Sequence, residues 1–242
     1  DLSTVQYTKI NSDGSTGAWA TTTSISARSE HTSVIANGYV YAIGGENNGL
    51  ALSSVQYAKL NSDGSTGAWA TSTEFISARG EHTSVIANGY VYAIGGDNNT
   101  ELSTVQYAKL NSDGSLGAWA TSTEFISARD SHTSVVANGY VYVIGGFQSS
   151  NSLVLSSIQY AKLNSDGSLG AWATSSQTMP VRRDHSSVIA NGYVYVIGGN
   201  GGSDSYSYSS TARTSISGNL DLLGLASTTL ADSGDSTFGS VG

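Results

Sequence analysis

A short motif, Arg-x-x-His, occurs four times and is the part of the sequence best suited to bind a charged ligand. A guanidinium carries five donors in a planar fork that matches the geometry of a carboxylate. If the four motifs converge at one place, they could together grip an acidic ligand. The pairs are Arg28 with His31, Arg79 with His82, Arg129 with His132, and Arg182 with His185.

The same motif also has a structural interpretation. Each Arg could pair with a nearby carboxylate or with a carbonyl group of the next repeat, and each His could make hydrogen bonds between repeats. A catalytic site usually breaks symmetry, whereas this motif recurs in every repeat, so the structural interpretation is favoured. The nearby carboxylates are those of Glu30, Glu81, Asp130 and Asp184.

The element that must position these residues is the segment HTSVIANGYVYAIGG, residues 31–45, which returns with few changes at 82–96, 132–146 and 185–199. The first glycines of the four Gly-Gly pairs are spaced by 51, 50 and 53 residues. A period of about 50 residues that contains several short strands is typical of a propeller blade.

Residues 82–122 illustrate one repeat. Asn88-Gly89 is a strong signal for a tight hairpin, and it separates a β-branched strand from an apolar one. A third strand ends at the turn Asn-Ser-Asp-Gly, and a fourth contains a Trp. One such sheet cannot cover both of its faces, so its stability must come from stacking on its neighbours. The predicted strands are 82–87, 90–94, 102–110 and 117–121.

Four apolar residues followed by Gly-Gly, a Tyr in the third strand and a Trp in the fourth resemble the kelch repeat. The Trp positions are Trp19, Trp69, Trp119 and Trp172. The resemblance covers residues 1–208 and implies an all-β fold, a β-propeller of four-stranded antiparallel blades. Four to five blades are represented, in a ring that is either closed or incomplete.

The repeat boundaries predict a propeller over residues 1–213 and a linker, or the start of a stalk-like segment, over 214–242. Residues 1–22 supply a third and fourth strand, which could complete the last blade and close a four-bladed ring. We favour instead a fragment of a larger protein with further blades upstream. The predicted blades are 31–72, 82–122 and 132–175, with a partial blade at 185–213 whose third strand begins near Tyr206 and Tyr208.

The loops after Gly-Gly differ between repeats, whereas the two hairpin turns are nearly constant. In an up-and-down blade these loops share one face with the linkers between blades. Variable loops in a repeat protein usually mark the binding side. This rim adds four candidate ligand-binding residues to the Arg and His residues: Asn98, Asn99, Phe147 and Gln148.

Composition excludes several functions. The net charge is −8 and no basic cluster is present, so nucleic acid is not an expected partner. No apolar run has the length of a membrane span. The chain has no Cys, which excludes the copper-radical oxidases of the kelch class, because they need a Tyr–Cys cross-link. No metal or cofactor is predicted, since each Asn-Ser-Asp-Gly turn offers one carboxylate, too few for calcium.

Three hypotheses for the function follow. The first is a non-catalytic binding module, bacterial and extracellular or at the cell surface, that presents its variable loops to a protein or glycan as a monomeric domain of a larger protein. The second is a structural spacer. The third is a mutarotase-like enzyme that acts on an acidic sugar through the Arg ring, for which the unmatched Asp130 is the one asymmetric feature.

Overall fold

The structure is a computed structural model that describes residues 1–75, 77–125, 127–202, 211–217 and 219–221. Within these ranges the chain forms strands and no α-helix, with a single 3₁₀ turn at Ser149–Asn151. Four four-stranded antiparallel sheets follow one another along the chain, after an N-terminal strand pair. The all-β, blade-like architecture expected from the repeats is confirmed.

The N-terminal pair consists of β1 (Gln6–Tyr7) and β2 (Ala20–Thr21). Blade A contains β3 (Thr32–Ala36), β4 (Tyr39–Ile43), a small hairpin of β5 (Glu46–Asn47) and β6 (Leu50–Ala51), then β7 (Val55–Lys59) and β8 (Ala70–Thr71). Blade B contains β9 (Thr83–Ala87), β10 (Tyr90–Ile94), β11 (Val105–Lys109) and β12 (Ala120–Thr121).

Blade C contains β13 (Thr133–Ala137), β14 (Tyr140–Ile144), a small hairpin of β15 (Phe147–Gln148) and β16 (Leu153–Val154), then β17 (Ile158–Lys162) and β18 (Ala173–Thr174). Blade D contains β19 (Ser186–Ala190), β20 (Tyr193–Ile197), β21 (Thr211–Ser217) and β22 (Asn219–Asp221). The first and second strands match the predicted ones closely, whereas each fourth strand is shorter than expected.

Blade D departs from the sequence-based interpretation. Its third strand is β21 and its fourth is β22, so regular structure continues past the expected boundary at residue 213. The predicted start of a third strand at Tyr206 and Tyr208 lies outside the described residues. The N-terminal strands do not complete blade D, because β1 pairs with β2 in a sheet of their own. Among the described strands the ring is therefore not closed.

The core lies between the blades. Tyr41, Ile43 and Val55 of blade A are fully buried against Val91 and other apolar residues of blade B, which include Trp119. Side-chain hydrogen bonds cross the same boundary. The Tyr41 hydroxyl donates to the Gly114 carbonyl at 2.9 Å, and Trp119 Nε1 donates to the Thr73 carbonyl at 3.1 Å. Both contacts recur between blades B and C, as Tyr92 to Gly167 and Trp172 to Thr123.

The second glycine of each Gly-Gly pair is required by close backbone approach. Gly96 has φ +93°, and a Cβ there would lie 2.4 Å from the Gly80 carbonyl oxygen and 2.7 Å from His82 Cβ. Gly96 thus lets the end of β10 pass under the linker that leads into its own blade. Gly89, in the β9–β10 turn, has φ +79° but no atom within 4 Å of its would-be Cβ.

These two glycines make a matched pair for mutagenesis. Gly89→Ala should cost about 1 kcal/mol, because only the left-handed backbone is disfavoured. Gly96→Ala adds a steric clash with backbone and should cost roughly 3 kcal/mol or more. Urea unfolding followed by Trp fluorescence measures both, and equal losses would contradict the close approach at Gly96.

Candidate binding face

The four Arg side chains of the repeated motif are buried inside the blades. Arg79, Arg129 and Arg182 are 0% exposed and Arg28 is 2% exposed. In each, Nη1 donates to the carbonyl of the first glycine of the Gly-Gly pair in the blade that follows. The bonds are Arg28 to Gly44 (2.8 Å), Arg79 to Gly95 (2.8 Å), Arg129 to Gly145 (2.7 Å) and Arg182 to Gly198 (3.0 Å).

Arg79 shows how the guanidinium is satisfied. Besides Gly95 it donates to the Ser77 and Thr104 carbonyls, to Thr104 Oγ1 and to Gln106 Oε1. Burial lowers the pKa of Arg79 to about 10, which leaves it charged at neutral pH. The expectation that the four guanidiniums together grip an acidic ligand is thus wrong, because they are buried and donate to groups within the protein.

The His side chains join neighbouring blades. His82 Nε2 lies 3.0 Å from Thr32 Oγ1, and the same hydroxyl is 2.6 Å from Ser84 Oγ. His132 with Thr83 and His185 with Thr133 repeat the contact. Burial, followed by the charge of Arg79, lowers the pKa of His82 to about 3. The pKa values of the other three are also lowered, mainly by burial, so these imidazoles are neutral at physiological pH.

The residue before each His, rather than the Arg, lines a shared cavity, which we call the mouth. Glu30, Glu81, Ser131 and Asp184 line a cavity of about 340 Å³ together with the four His residues. Their backbones form a chain of hydrogen bonds across the blades. Glu81 N donates to the Glu30 carbonyl, Ser131 N to that of Glu81, and Asp184 N to that of Ser131, at 3.0–3.2 Å.

The variable loops start beside this mouth, as predicted. The residue after each Gly-Gly pair forms a β-bridge with the linker that leads into the mouth. The bridges are Ser29 with Glu46, Gly80 with Asp97, Asp130 with Phe147, and Arg183 with Asn200. Adjacent loops also touch each other, because Glu101 Oε1 accepts hydrogen bonds from Ser149 Oγ and Ser150 N, both at 2.6 Å. Mouth and loops therefore form one continuous face.

The four loop residues predicted from the sequence lie on this face but differ in availability. Asn99 is exposed and Asn98 is half-buried. Phe147 is stacked under the Arg183 guanidinium, whose Cζ lies 4.3 Å from the ring centroid. Gln148 Nε2 donates to the Ala128 carbonyl at 3.0 Å. The Asn pair is thus the freer of the two candidate sets.

Asp130 is an asymmetric feature of the face. Its side chain is only 5% exposed, and its Oδ1 has no hydrogen-bond partner within the described residues. Burial raises the pKa of Asp130 to about 7, against a lowering by the Ser131 hydrogen bond, and the charges of Glu81, Asp97 and Glu101 raise it further. At neutral pH this carboxyl is partly protonated.

The face as a whole is acidic. Burial, followed by the charges of Glu46, Glu81 and Asp97, raises the pKa of Glu30, which shows that carboxylates of several blades act on one another. In the described part of the chain, no group of three or more His, Asp or Glu side chains is placed to hold a metal ion. The arrangement suits a polar or cationic surface of another molecule better than an acidic sugar.

Sequence reasoning missed Glu30, Glu81 and Asp184 as mouth residues and treated them as partners for Arg. A usable signal was their constant place directly before the His of each repeat. One Lys of each repeat faces solvent: Lys9, Lys59, Lys109 and Lys162.

Stacked four-stranded antiparallel sheets with a repeated Gly-Gly corner define a repeat protein of the β-propeller class. The Kelch motif matches the chain at residues 27–57 and 78–107, in the N-terminal half of the repeat region. The chain therefore contains kelch repeats. No curated protein shows significant similarity to it. Within the described ranges, no helix is long and apolar enough to cross a bilayer.

The buried guanidinium can be tested against an exposed cation. Arg79→Gln removes the guanidinium donors from the Gly95 and Thr104 carbonyls, of which Thr104 keeps a bond from Gly95 N, and should destabilise the fold by about 2–4 kcal/mol. Lys59→Gln removes an exposed charge and should change stability by less than about 0.5 kcal/mol. Chemical unfolding measures both. A near-neutral Arg79→Gln would contradict the structural role of this motif.

The buried carboxyl predicts a pH-dependent difference. Because the pKa of Asp130 rises from 3.8 to about 7 on folding, its ionisation destabilises the fold as pH rises through this window. Asp130→Asn should therefore match the parent near pH 4 and exceed it by roughly 2 kcal/mol above pH 7, after allowing for solvent screening. Unfolding curves of both proteins across this range test it. A constant difference at every pH would contradict it.

Proposed function

We propose that this chain is a non-catalytic module that binds a protein partner through the face formed by the acidic mouth and the variable loops. Kelch repeats commonly mediate protein binding and are generally non-catalytic. The observation that carries the proposal is that sequence variation and unpaired carboxylates occur together on one face. An extracellular or cell-surface location is part of the same proposal.

Charge favours a partner segment that carries Lys or Arg. The mouth contributes Glu30, Glu81 and Asp184, and the adjoining loops contribute Glu46, Asp97 and Glu101. Among the described residues, the side-chain ion pair on this face is Arg183 with Asp184, at 3.7 Å, with side-chain exposures of 29% and 61%. Most carboxylates of the face therefore have no cationic side chain of the described residues paired with them, which favours a cationic partner.

The alternatives drawn from the sequence are less well supported. A mutarotase-like site would use the Arg ring to hold an acidic sugar, but those guanidiniums are buried and hydrogen-bonded. A structural spacer does not account for the position of the carboxylates on the face that carries the variable loops. A glycan ligand remains compatible with the exposed Asn99 and is separated from a protein ligand by experiment.

Binding of the full chain to arrays of proteins and of glycans tests the proposal. We expect protein signals that disappear when loops 97–101 and 147–154 are replaced by Gly-Ser segments of equal length. Unchanged protein binding after this replacement would refute the assigned face. Signals on the glycan array alone would assign the face to carbohydrate.

A charge-matched pair of variants tests the electrostatic part. Glu30→Gln, Glu81→Gln and Asp184→Asn together remove three carboxylates from the mouth and should weaken binding about tenfold or more, because each lost charge reduces steering and complementarity. The control is Asp13→Asn, Asp63→Asn and Asp113→Asn, which removes three carboxylates from the Asn-Ser-Asp-Gly turns of the opposite face. Equal effects of the two sets would show only a response to net charge.

A further inference from the structure

Two positions of the repeat meet at each boundary between consecutive blades. One is the residue directly after Gly-Gly, where the variable loop of the preceding blade begins. The other is the residue two places before His, in the linker that enters the following blade. The pairs of positions are Glu46 and Gly80 between blades A and B, Asp97 and Asp130 between B and C, and Phe147 and Arg183 between C and D.

Two of the three boundaries hold compatible residues at these positions. Between blades A and B the linker has a glycine, and a Cβ on Gly80 would lie 2.7 Å from Glu46 Cγ. Between blades C and D the Arg183 guanidinium lies over the Phe147 ring, with its Cζ 4.3 Å from the ring centroid, which is a favourable cation–π contact. Both contacts show that the linker position points at the loop residue of the preceding blade.

The boundary between blades B and C differs, because both positions hold a carboxyl group. Asp130 is 5% exposed, its Oδ1 has no hydrogen-bond partner and it forms no ion pair among the described residues. The adjacent Arg129 donates instead to the Gly145 carbonyl inside blade C. Two ionised carboxylates that face each other without a cation repel, so one of them retains a proton. The carboxylates that act on Asp130 are those of Glu81, Asp97 and Glu101.

Asp97 is also connected to the contact between the loops of blades B and C. It forms a β-bridge with Glu101 across its own loop, and Asn99 N donates to Asp97 Oδ1 at 2.8 Å. Glu101 Oε1 in turn accepts hydrogen bonds from Ser149 Oγ and Ser150 N, both at 2.6 Å. A displacement of Asp97 therefore reaches the loop of blade C through Glu101.

We propose that Asp97 and Asp130 form a proton-sensitive contact that sets the position of the blade B loop against blade C. While Asp130 keeps its proton, it is neutral and can donate a hydrogen bond to the Asp97 carboxylate. When the proton leaves to solvent, the two carboxylates repel each other. The loop then moves away from the linker of blade C, and the bonds of Glu101 to Ser149 and Ser150 weaken.

The contact is tight in acid and loosens as the pH rises. Burial is the main cause that raises the pKa of Asp130 to about 7, and the neighbouring carboxylates raise it further. The proton is therefore lost close to neutral pH. The adjacent His132 does not titrate in this range, because burial lowers its pKa well below the ordinary value.

The loop of blade B belongs to the binding face, so the contact would regulate the module. This consequence rests on the proposed function. A cationic group that binds between Asp97 and Asp130 would take the place of the proton, so that binding and proton release are coupled. The contact itself is a property of the free chain and can be tested without a partner.

NMR titration of the full chain between about pH 5 and pH 9 tests the contact. The carboxyl carbon of Asp130 should titrate with a midpoint near pH 7. The Ser150 amide proton should move upfield with the same midpoint, because its hydrogen bond to Glu101 weakens. An Asp130 midpoint near the ordinary value for Asp, or a Ser150 amide that does not follow Asp130, would overturn the proposal.

Two variants and a control separate this contact from a general effect of charge. Asp130→Asn carries a permanent N–H donor and should abolish the titration of the Ser150 amide, whereas Asp97→Asn should lower the Asp130 midpoint. The control, Asp113→Asn in the turn of the opposite face, should change neither. A Ser150 titration that persists in Asp130→Asn, or an Asp130 midpoint unchanged by Asp97→Asn, would contradict the contact.

These readouts remain decisive if one variant fails to fold. The titration of the parent chain and the Asp97→Asn variant then test the contact without Asp130→Asn. Because no partner is present in these experiments, the contact can fail while the binding arrays still support the proposed function. Failure of the arrays would likewise leave the titration of Asp130 and Ser150 unaffected.

Discussion

The structure depends on a buried guanidinium that ties each linker to the corner of the blade that follows. The Arg79 donor to the Gly95 carbonyl fixes the point where the second strand ends, and Gly96 lets the linker cross that point. Once the corner is fixed, His82 is held against the hydroxyl of Thr32 in the preceding blade. The same set of bonds therefore sets the blade corner, the angle between blades and the direction of the residue at the mouth.

Much of the fold could be predicted from the sequence. Asn88-Gly89 predicted a hairpin, and the strands on either side of it are those observed, because a two-residue turn with positive φ leaves little freedom in register. The need for blades to stack predicted a core between them, and Trp119 is buried there, whereas Trp69 and Trp172 are half-buried. Trp19 is not buried, since it lies at the end of the row and is 66% exposed. A repeat pattern reports what each unit contributes but not whether a neighbour is present to cover it.

The site was harder to predict than the fold for a physical reason. An Arg in a polar, repeated motif can bind either a carboxylate ligand or a set of backbone carbonyls, and composition does not distinguish between these two partners. The decision depends on where the Gly95 carbonyl points, which is a property of the folded corner. Blade D was misjudged for a related reason, because β21 reads TARTSIS and lacks the Val-Gln-Tyr pattern of the other third strands. Edge pairing is set by which backbone is within reach as well as by side-chain pattern.

Three of the four mouth residues place a carboxylate at a positive φ, and the fourth, Ser131, has the same backbone conformation (φ +50°) without the charge. Glu30 and Glu81 have φ of +52° and +49°, and Asp184 has +54°. Gly and Asn adopt this conformation most readily, whereas Glu does so rarely. In the hairpin turns, where the backbone also has a positive φ, the chain has Asn instead, as at Asn88 with φ +50°. Glu at the mouth therefore costs conformational energy that Asn would avoid. Under the proposed function, binding of a partner by this carboxylate offsets that cost.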